Sequence, residues 1–492
     1  MGPQVTKKQF VSGSVWKIIE QFLTKGISLI TSAILARILL PEDYGLIALT
    51  TVFTNLSDVL IDGGFSTTLI RKEHVDDSDY ACVFSISSSI SLVLYLVLFF
   101  AAPAIANYYV EPNLIPVLRV IGLTFFIQAF ASTRNAVVNR NMQFKFLFYC
   151  NAISSIISGA LGIAAAYFGL GVWALVIQRL SQQALLTILL FIKIHFKLSW
   201  KFSLTKLKEM MKFSLGVVGS SFLNYLGGNV YSAVIGKAYS VTDLGYYDKG
   251  GQLPMQMSLY TFGAMSNVLL PTISSCQSDL ERVKAIIRKV VSMTSFLIMP
   301  MMVGMVFVSK ELMVLLFTDK WLPAVPIMQY TCLYYLATPF MLINVQVFFA
   351  LGESQLRVKT ELIRLSLNIM GLIVFGLVLG CSMNDLALVS ALVAVISALV
   401  TFVEAQKLIN YKWKELILDM IKPLIASAIM AAWIFIINYF VLPEMGTVLS
   451  LICKVVTGVI VYWLFSVILH IDGYREVIGM LRGLLKKGKN NG

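Results

Sequence analysis

The stretch Ala36-Arg37-Ile38-Leu39-Leu40-Pro41-Glu42-Asp43-Tyr44-Gly45 closes one hydrophobic segment and opens the next, and a weaker copy of it follows 200 residues later. In the first copy five residues separate Arg37 from Asp43-Tyr44-Gly45, and in the second copy five residues separate Lys237 from Asp243-Leu244-Gly245. Because each copy joins two apolar segments, the register predicts a duplicated membrane bundle. The charged side chains within the apolar segments predict that the two halves enclose a polar path.

The composition indicates a polytopic membrane protein. The chain has 492 residues, of which 58% are hydrophobic and only 13% charged, and its mean hydropathy is +0.81. Apolar runs of about 20 residues, each long enough to cross a bilayer, recur from end to end. Lipid offers no partner to an unpaired backbone group, so these spans are expected to be helices. About fourteen are predicted: 14–38, 45–63, 80–102, 115–133, 147–167, 171–192, 213–236, 250–270, 290–309, 326–350, 362–380, 386–404, 423–441 and 448–470.

Lysine and arginine residues predict the orientation of these spans, since they concentrate in cytoplasmic segments. If the N-terminus is cytoplasmic, the outer loops carry few of them, which are Lys237, Lys249, Lys310 and Lys320. We therefore expect a multi-pass membrane protein with both termini cytoplasmic. The net charge of +13 follows from this topology and from contact with anionic lipid headgroups, so no nucleic-acid partner is expected.

The longest hydrophilic interruption, residues 193–212, divides the predicted helices. We predict an N-terminal six-helix lobe (1–192), a cytoplasmic interfacial linker helix (193–212) and a C-terminal six-helix lobe (213–405). Two further helices (406–470) and a basic amphipathic cytoplasmic tail (471–492) complete the chain. Six spans restore the original orientation, so the two lobes form a parallel repeat related by an axis along the membrane normal.

Polar residues recur at helical spacing in the first two spans of each predicted lobe, which predicts one polar face on each of these helices. We expect the four faces to line a shared water-filled cavity. The predicted cavity residues are Lys25, Arg37, Gln21, Ser28, Asn55, Asn224, Gln252, Gln256 and Tyr260. Arg119 and Arg179 are further cationic candidates, and Glu20, Asp58 and Asp62 are candidates for coupling to a proton or sodium ion.

Charged residues at mid-depth cost about 2.5–3.5 kcal/mol each even on a lenient scale, so each needs a role. Lys25 is expected either to bind a ligand in the cavity or to pair with Asp58 or Asp62. Arg37 either faces the cavity or extends to the outer interface. Arg179 either ties helices together inside the N-terminal bundle or contacts the ligand. Arg119 and Lys454 are expected at the interface.

A cavity lined by several cations favours an anionic ligand. Diphosphate fits this chemistry, because arginine binds its oxygens in a bidentate way and lysine acts as a point charge. Asparagine, glutamine, serine and tyrosine suit sugar hydroxyls. The six cysteines and three histidines are dispersed, so neither a disulfide framework, a metal site nor a cofactor is expected.

Three stretches resemble Wzx-type polysaccharide flippases: Ala36 to Gly45 after the first span, Gly169-Leu-Gly-Val-Trp-Ala-Leu-Val176 at the sixth, and Ala350-Leu-Gly352 after the tenth. The resemblance covers almost the whole chain and implies membership of the multidrug/oligosaccharidyl-lipid/polysaccharide exporter superfamily. Such proteins form two six-helix lobes around a central cavity. Its Wzx-type members move undecaprenyl-diphosphate-linked oligosaccharide from the cytoplasmic to the periplasmic leaflet by alternating access, for surface polysaccharides such as lipopolysaccharide and exopolysaccharide. The resemblance thus implies a location in the bacterial cytoplasmic (inner) membrane.

The resemblance therefore predicts a transporter and no enzyme. Expected partners are the lipid-linked glycan, membrane lipids, a coupling H⁺ or Na⁺ and polysaccharide polymerase machinery. Two other transporters share the pattern: a flippase for the peptidoglycan lipid precursor, which needs the same cations, and a cation-coupled multidrug exporter, which favours an acidic cavity. A membrane glycosyltransferase would need a sizeable extramembrane site, and the loops predicted here are short.

Overall fold

The computed structural model describes residues 7–62, 64–65, 68–69, 75–141, 143–194, 204–440 and 446–479. Within these ranges it also describes the side chains, except those of residues 7–22, 204–217, 220, 223–224, 264–268 and 354. All the regular elements of the described ranges are helices. Contacts divide the chain into two compact units, residues 1–245 and 246–492.

The first unit contains eight helices among its described residues and the start of a ninth. They are α1 (Lys7–Ile38), α2 (Pro41–Asp62), α3 (Asp77–Tyr109), α4 (Leu114–Ile121), α5 (Thr124–Arg140), α6 (Phe144–Tyr167), α7 (Val172–Lys193) and α8 (Leu204–Ala238), followed by α9 (Val241–Ser274). Within this unit α1 packs on α6, α6 on α7, and α2 on α8.

The second unit contains most of α9, a helical segment over residues 472–479 and the following helices. They are α10 (Leu280–Phe317), a 3₁₀ segment (Asp319–Ala324), α11 (Val325–Ala350), α12 (Ser354–Gly371) with a π-helical continuation (Leu372–Val378), α13 (Met383–Ile409), α14 (Trp413–Phe440) and α15 (Thr447–Ile468). Helix α11 packs on α13, and α10 packs on α14.

In the described part of the chain, eleven helical stretches are long and apolar enough to cross a membrane. The regular structure of these residues is therefore all helical, and the chain is a multi-pass membrane protein, as predicted. Each of the fourteen predicted spans overlaps helical residues, with the span 115–133 divided between α4 and α5, but α1, α8 and α9 lie outside the set of eleven. Those three carry predicted polar faces, and polar residues lower the hydropathy of a helix. The count of fourteen spans stays a prediction.

The division between the compact units falls after Gly245, beyond the predicted linker. Residues 204–212 of that linker form the first turns of α8, and residues 195–203 lie outside the described ranges. Helix α8 groups with the first unit because it packs against α2. The domain boundaries predicted from sequence stay predictions, as does the basic tail, of which residues 480–492 lie outside the described ranges.

The aspartates of the repeated block lie at the starts of the helices that follow it. Asp43 Oδ2 accepts a hydrogen bond from the Leu40 backbone N–H at 3.0 Å, next to Pro41 at the first position of α2. At the start of α9, Ser240 Oγ accepts from the Asp243 backbone N–H at 3.0 Å and donates to Asp243 Oδ2 at 2.7 Å. Such bonds satisfy N–H groups that have no partner within the helix. Asp43 therefore caps the start of α2 directly, whereas at the start of α9 the capping side chain is Ser240, whose hydroxyl is bound by Asp243.

Lys454 has a partner that the sequence did not predict. Lys454 is 2% exposed, and its ammonium pairs with Glu311 Oε1 at 2.5 Å, joining α15 to α10. A buried ammonium needs an opposite charge, since solvent does not stabilise it there. The partner lies 143 residues away in the chain, so helical periodicity around Lys454 could not identify it.

Candidate functional site

Arg179 joins two membrane helices of the first unit through hydroxyl groups. Its guanidinium donates to Thr51 Oγ1 at 3.1 Å and to Thr54 Oγ1 at 2.8 Å, so α7 is tied to α2. Threonines three residues apart lie on one face of a helix, and the flat guanidinium can reach both of them. This arrangement fixes the position of a positive charge within the bundle.

Two carboxylates follow on α2. The charge of Asp58 lies close enough to interact electrostatically with Arg179, and Asp62 lies close enough to interact with Asp58. Asp58 and Asp62 are four residues apart and both side chains are half-buried. One cation and two carboxylates therefore share a neighbourhood, and protonation or ion binding there would change the local net charge.

The polar face of α2 also contacts α8. Asn55 Nδ2 donates to Asn229 Oδ1 at 3.3 Å, and Asn229 Nδ2 donates to the Tyr225 backbone carbonyl at 2.9 Å. We define the α2 polar cluster as Thr51, Thr54, Asn55, Asp58, Asp62, Arg179 and Asn229. It brings together four of the predicted site residues: Asn55, Asp58, Asp62 and Arg179. Sequence analysis missed Thr54 and Asn229, although Thr54 lies one turn before Asp58.

The predicted residues of α1 occupy a separate place in the first unit. Lys25 is exposed, Ser28 is half-buried, and Arg37 is exposed in the last turn of the helix. The side chains of Glu20 and Gln21 lie outside the described set, as does that of Asn224 in α8. Helix α1 contacts α6 closely at Thr31, whose Oγ1 would lie 2.7 Å from a β-carbon at Gly159.

The predicted residues of α9 lie in the second unit. Gln252 Oε1 accepts from Lys249 Nζ at 3.0 Å, and Lys249 is buried with its ammonium 5.5 Å from the centre of the Phe317 ring. Gln256 and Tyr260 are half-buried further along the same helix. Sequence analysis assigned Lys249 to an outer loop, whereas the structure places it in the helix beside Gln252.

Arg119 has a local structural contact. Its Nε donates to the Phe99 backbone carbonyl at 3.4 Å, and its guanidinium lies 4.2 Å from the centre of the Phe99 ring. Both contacts join α4 to α3, and the second is a cation–π interaction. Among the predicted cations, Arg119 is thus placed against an aromatic side chain of its own unit.

A further buried charge cluster lies in α12 and was missed from the sequence. Glu361 is buried and pairs with Arg357 at 2.8 Å, one turn before it, and with Arg364, one turn after it. Spacings of four and three residues place these groups on one face. That signal was present in the sequence, but Arg357 and Arg364 were assigned to a cytoplasmic segment.

The described chain combines many apolar helices with ionic and amide side chains that cluster between them. Ionisable groups are costly in a membrane helix and usually mark the pathway of a transported substrate or ion. The fold and the α2 polar cluster are those of a polytopic membrane transporter.

Comparison with known proteins identifies the family. Residues 34–326 match the family described as "Polysaccharide biosynthesis protein", and the chain belongs to that family. It is 24% identical to the succinoglycan biosynthesis transport protein ExoT of Rhizobium meliloti (strain 1021), over 98% of this chain and 97% of that one. It is 20% identical to the lipopolysaccharide biosynthesis protein WzxC of Escherichia coli (strain K12), over 66% of this chain and 67% of that one.

A solved structure shows the same fold. The lipid II flippase MurJ, in an inward closed conformation, superposes with a TM-score of 0.74 at 18% identity, covering 95% of this chain and 100% of that one. The family match and the two relatives confirm the resemblance to Wzx-type polysaccharide flippases inferred from Ala36–Gly45 and the two later stretches.

Proposed function

We propose that this protein is a flippase that moves undecaprenyl-diphosphate-linked oligosaccharide from the cytoplasmic to the outer leaflet, for the synthesis of a surface polysaccharide. The likeness to the succinoglycan transport protein along nearly the full length of both chains carries this proposal. The composition supports it, since apolar helices account for most of the described chain. Translocation in this proposal requires no covalent chemistry.

The proposed architecture is the one predicted from sequence. Fourteen spans form two six-helix lobes in parallel repeat with two additional helices, in the inner membrane with both termini cytoplasmic. Lys25 and Arg37 bind the diphosphate, and both are exposed in the first unit. Gln21, Ser28, Asn55, Asn224, Gln252, Gln256 and Tyr260 bind sugar hydroxyls.

Ion coupling is proposed at Asp58, with Asp62 and Glu20 as the further candidates. The proximity of Asp58 to Arg179 and Asp62 supports this assignment. When Asp58 is ionised, Arg179 compensates its charge; when Asp58 takes up a proton or Na⁺, Arg179 becomes available to an anion. Binding of a cation at Asp58 would thereby favour binding of a diphosphate nearby, which is the coupling that a transport cycle needs.

The test is flipping by the purified protein in proteoliposomes, with the glycan lipid followed by its accessibility at the opposite leaflet. The wild-type protein should transfer undecaprenyl-diphosphate oligosaccharide faster than empty liposomes do. Failure with several glycans and ion gradients, using folded protein, would contradict the proposal. Transfer of the peptidoglycan lipid precursor alone would replace it with the alternative flippase.

Variants Lys25→Ala and Arg37→Ala test the diphosphate assignment in the same assay. Each should slow flipping at least tenfold, with expression and folding retained. Lys310→Ala is the matched control, because it also removes one exposed positive charge but lies outside the proposed site. Wild-type rates in both test variants would refute the assignment while leaving the flippase proposal in place.

A further inference from the structure

Two glycines of the repeated block make reciprocal contacts with the main chain. A β-carbon at Gly45 would lie 1.7 Å from the carbonyl oxygen of Val241, and a β-carbon at Gly245 would lie 2.0 Å from the carbonyl oxygen of Pro41. Val241 and Pro41 are the first residues of α9 and α2. The first residue of each helix thus lies against the glycine in the first turns of the other helix.

These distances leave no room for a side chain at either position. Non-bonded heavy atoms settle at about 3.5 Å, so a methyl group would force the two helix starts apart by ~1 Å or more. The obstacle is backbone carbonyl, which cannot rotate away as a flexible side chain can. By contrast, a β-carbon at Gly236 would meet side-chain atoms, a methyl group of Leu49 at 2.5 Å and one of Leu244 at 3.3 Å.

Two further hydrogen bonds join the last turns of α8 and α3. Lys237 Nζ donates to the Tyr108 backbone carbonyl and lies 4.7 Å from the centre of the Tyr108 ring. Tyr109 Oη donates to the Ala233 backbone carbonyl at 3.3 Å. A cation near the last carbonyls of α3 is favoured by the helix dipole. The ends of α2, α3, α8 and α9 therefore meet in one contact region.

We infer that the reciprocal pair Gly45 and Gly245 is the closing contact of an outer gate. The inference rests on the proposed function, which requires the transport path to be closed on one side of the membrane at a time, and on the predicted orientation, which places these helix ends on the outer side. In the conformation described here the two helix starts touch and the gate is shut. Any side chain larger than hydrogen at either glycine holds it open.

Accessibility of an internal cysteine tests the gate. Ser232→Cys, half-buried on α8 below this contact, serves as the reporter in a protein whose six native cysteines are replaced by alanine. A membrane-impermeant maleimide is added to the outer side of oriented proteoliposomes. With both glycines intact the reporter should react slowly, and with Gly45→Ala or Gly245→Ala it should react at least tenfold faster.

Two matched glycine variants provide the controls. A β-carbon at Gly228, on the same helix as the reporter, would meet nothing within 4 Å, so Gly228→Ala should label at the unsubstituted rate. Gly236→Ala should have an intermediate effect, because Leu49 can move. If Gly45→Ala and Gly245→Ala label no faster than Gly228→Ala, the gate proposal is wrong. Either test variant decides the question if the other fails to fold.

A second measurement leaves both glycines in place. Spin labels are attached at Glu42→Cys and Ala238→Cys, both exposed positions. Double electron–electron resonance then measures the separation of the helix ends, with and without glycan lipid and between pH 5 and 8. A second, longer separation is expected. One unchanged separation under all conditions would overturn the gate. The maleimide assay needs no substrate, so absence of glycan flipping would contradict the proposed function without deciding the gate.

Discussion

At the residue scale, the sequence identified which side chains are unusual but not what they contact. The register of α2 predicted one face containing Thr51, Asn55, Asp58 and Asp62, and three of these four interact with Arg179 or with one another. The contact between Arg179 and Thr54 joins residues 125 positions apart. Periodicity describes one helix at a time, so it could not supply a partner on another helix.

Replacement of Arg179 by lysine should destabilise the first unit. Lysine carries a point charge and cannot hold Thr51 and Thr54 with one planar group. Loss of a hydrogen bond to a charged group costs about 1.5–3 kcal/mol, so we expect Arg179→Lys to lower the Tm in detergent by several degrees. Thr54→Val removes one bond at nearly constant volume and should have a smaller effect. An unchanged Tm in Arg179→Lys would show that the tie contributes little.

The pair of Lys454 and Glu311 should respond differently to single and double substitution. Removing one member of a buried pair leaves the other charge uncompensated, at about 3–5 kcal/mol, whereas apolar replacement of both is often neutral. We therefore expect Lys454→Met to unfold at a clearly lower temperature, and Lys454→Met with Glu311→Leu to recover most of the loss. Additive losses in the double variant would contradict this account of the pair.

At the scale of helices, hydropathy located the elements well and their ends less well. Each predicted span lies on a described helix, yet α3, α9 and α10 extend beyond the predicted edges. The extensions contain polar residues, such as Asp77 in α3 and Asp243 in α9. Such residues lower the hydropathy of a sequence window, but they are favourable in the first turn of a helix. Grouping of α8 with the first unit could not be predicted either, because it depends on packing against α2.

Removal of a capping side chain should destabilise the start of the helix that it caps. Loss of a capping side chain typically costs about 1 kcal/mol, so Asp43→Ala and Ser240→Ala should each lower the Tm modestly. Glu42→Ala is the control for Asp43→Ala, since it removes a neighbouring exposed carboxylate from the same first turn. If Glu42→Ala lowers the Tm equally, the effect is one of charge near the helix dipole and not of the cap hydrogen bond.

At the scale of the whole molecule, composition predicted the class of protein and the distribution of lysine and arginine predicted its orientation. The class follows from the hydrophobic effect alone, since a chain that is 58% hydrophobic contains far more apolar segments than a soluble core requires. The glycan and the coupling ion depend on the placement of a few polar atoms, and similar helices accommodate different substrates. Sequence patterns therefore predict this fold more completely than the site.

Single cysteines on the two sides of the membrane test the predicted orientation. Asn113→Cys, between α3 and α4, should react with an impermeant maleimide applied outside, and Glu353→Cys, between α11 and α12, should react only after the membrane is opened. Both positions are exposed, so a difference between them reports sidedness. The reverse pattern would invert the topology and place the glycine contact on the cytoplasmic side.

The buried pair of Lys454 and Glu311 has a consequence for how the chain is made. Helix α10 is synthesised well before α15, so the Glu311 carboxylate reaches the membrane while its counter-ion is still to be translated. Until α15 arrives, the Glu311 carboxylate lacks the ammonium that compensates it in the folded protein, and an uncompensated charge in a membrane helix is costly. Completion of the last long helix thus fixes an earlier one in place, because only then does the Glu311 carboxylate meet its counter-ion.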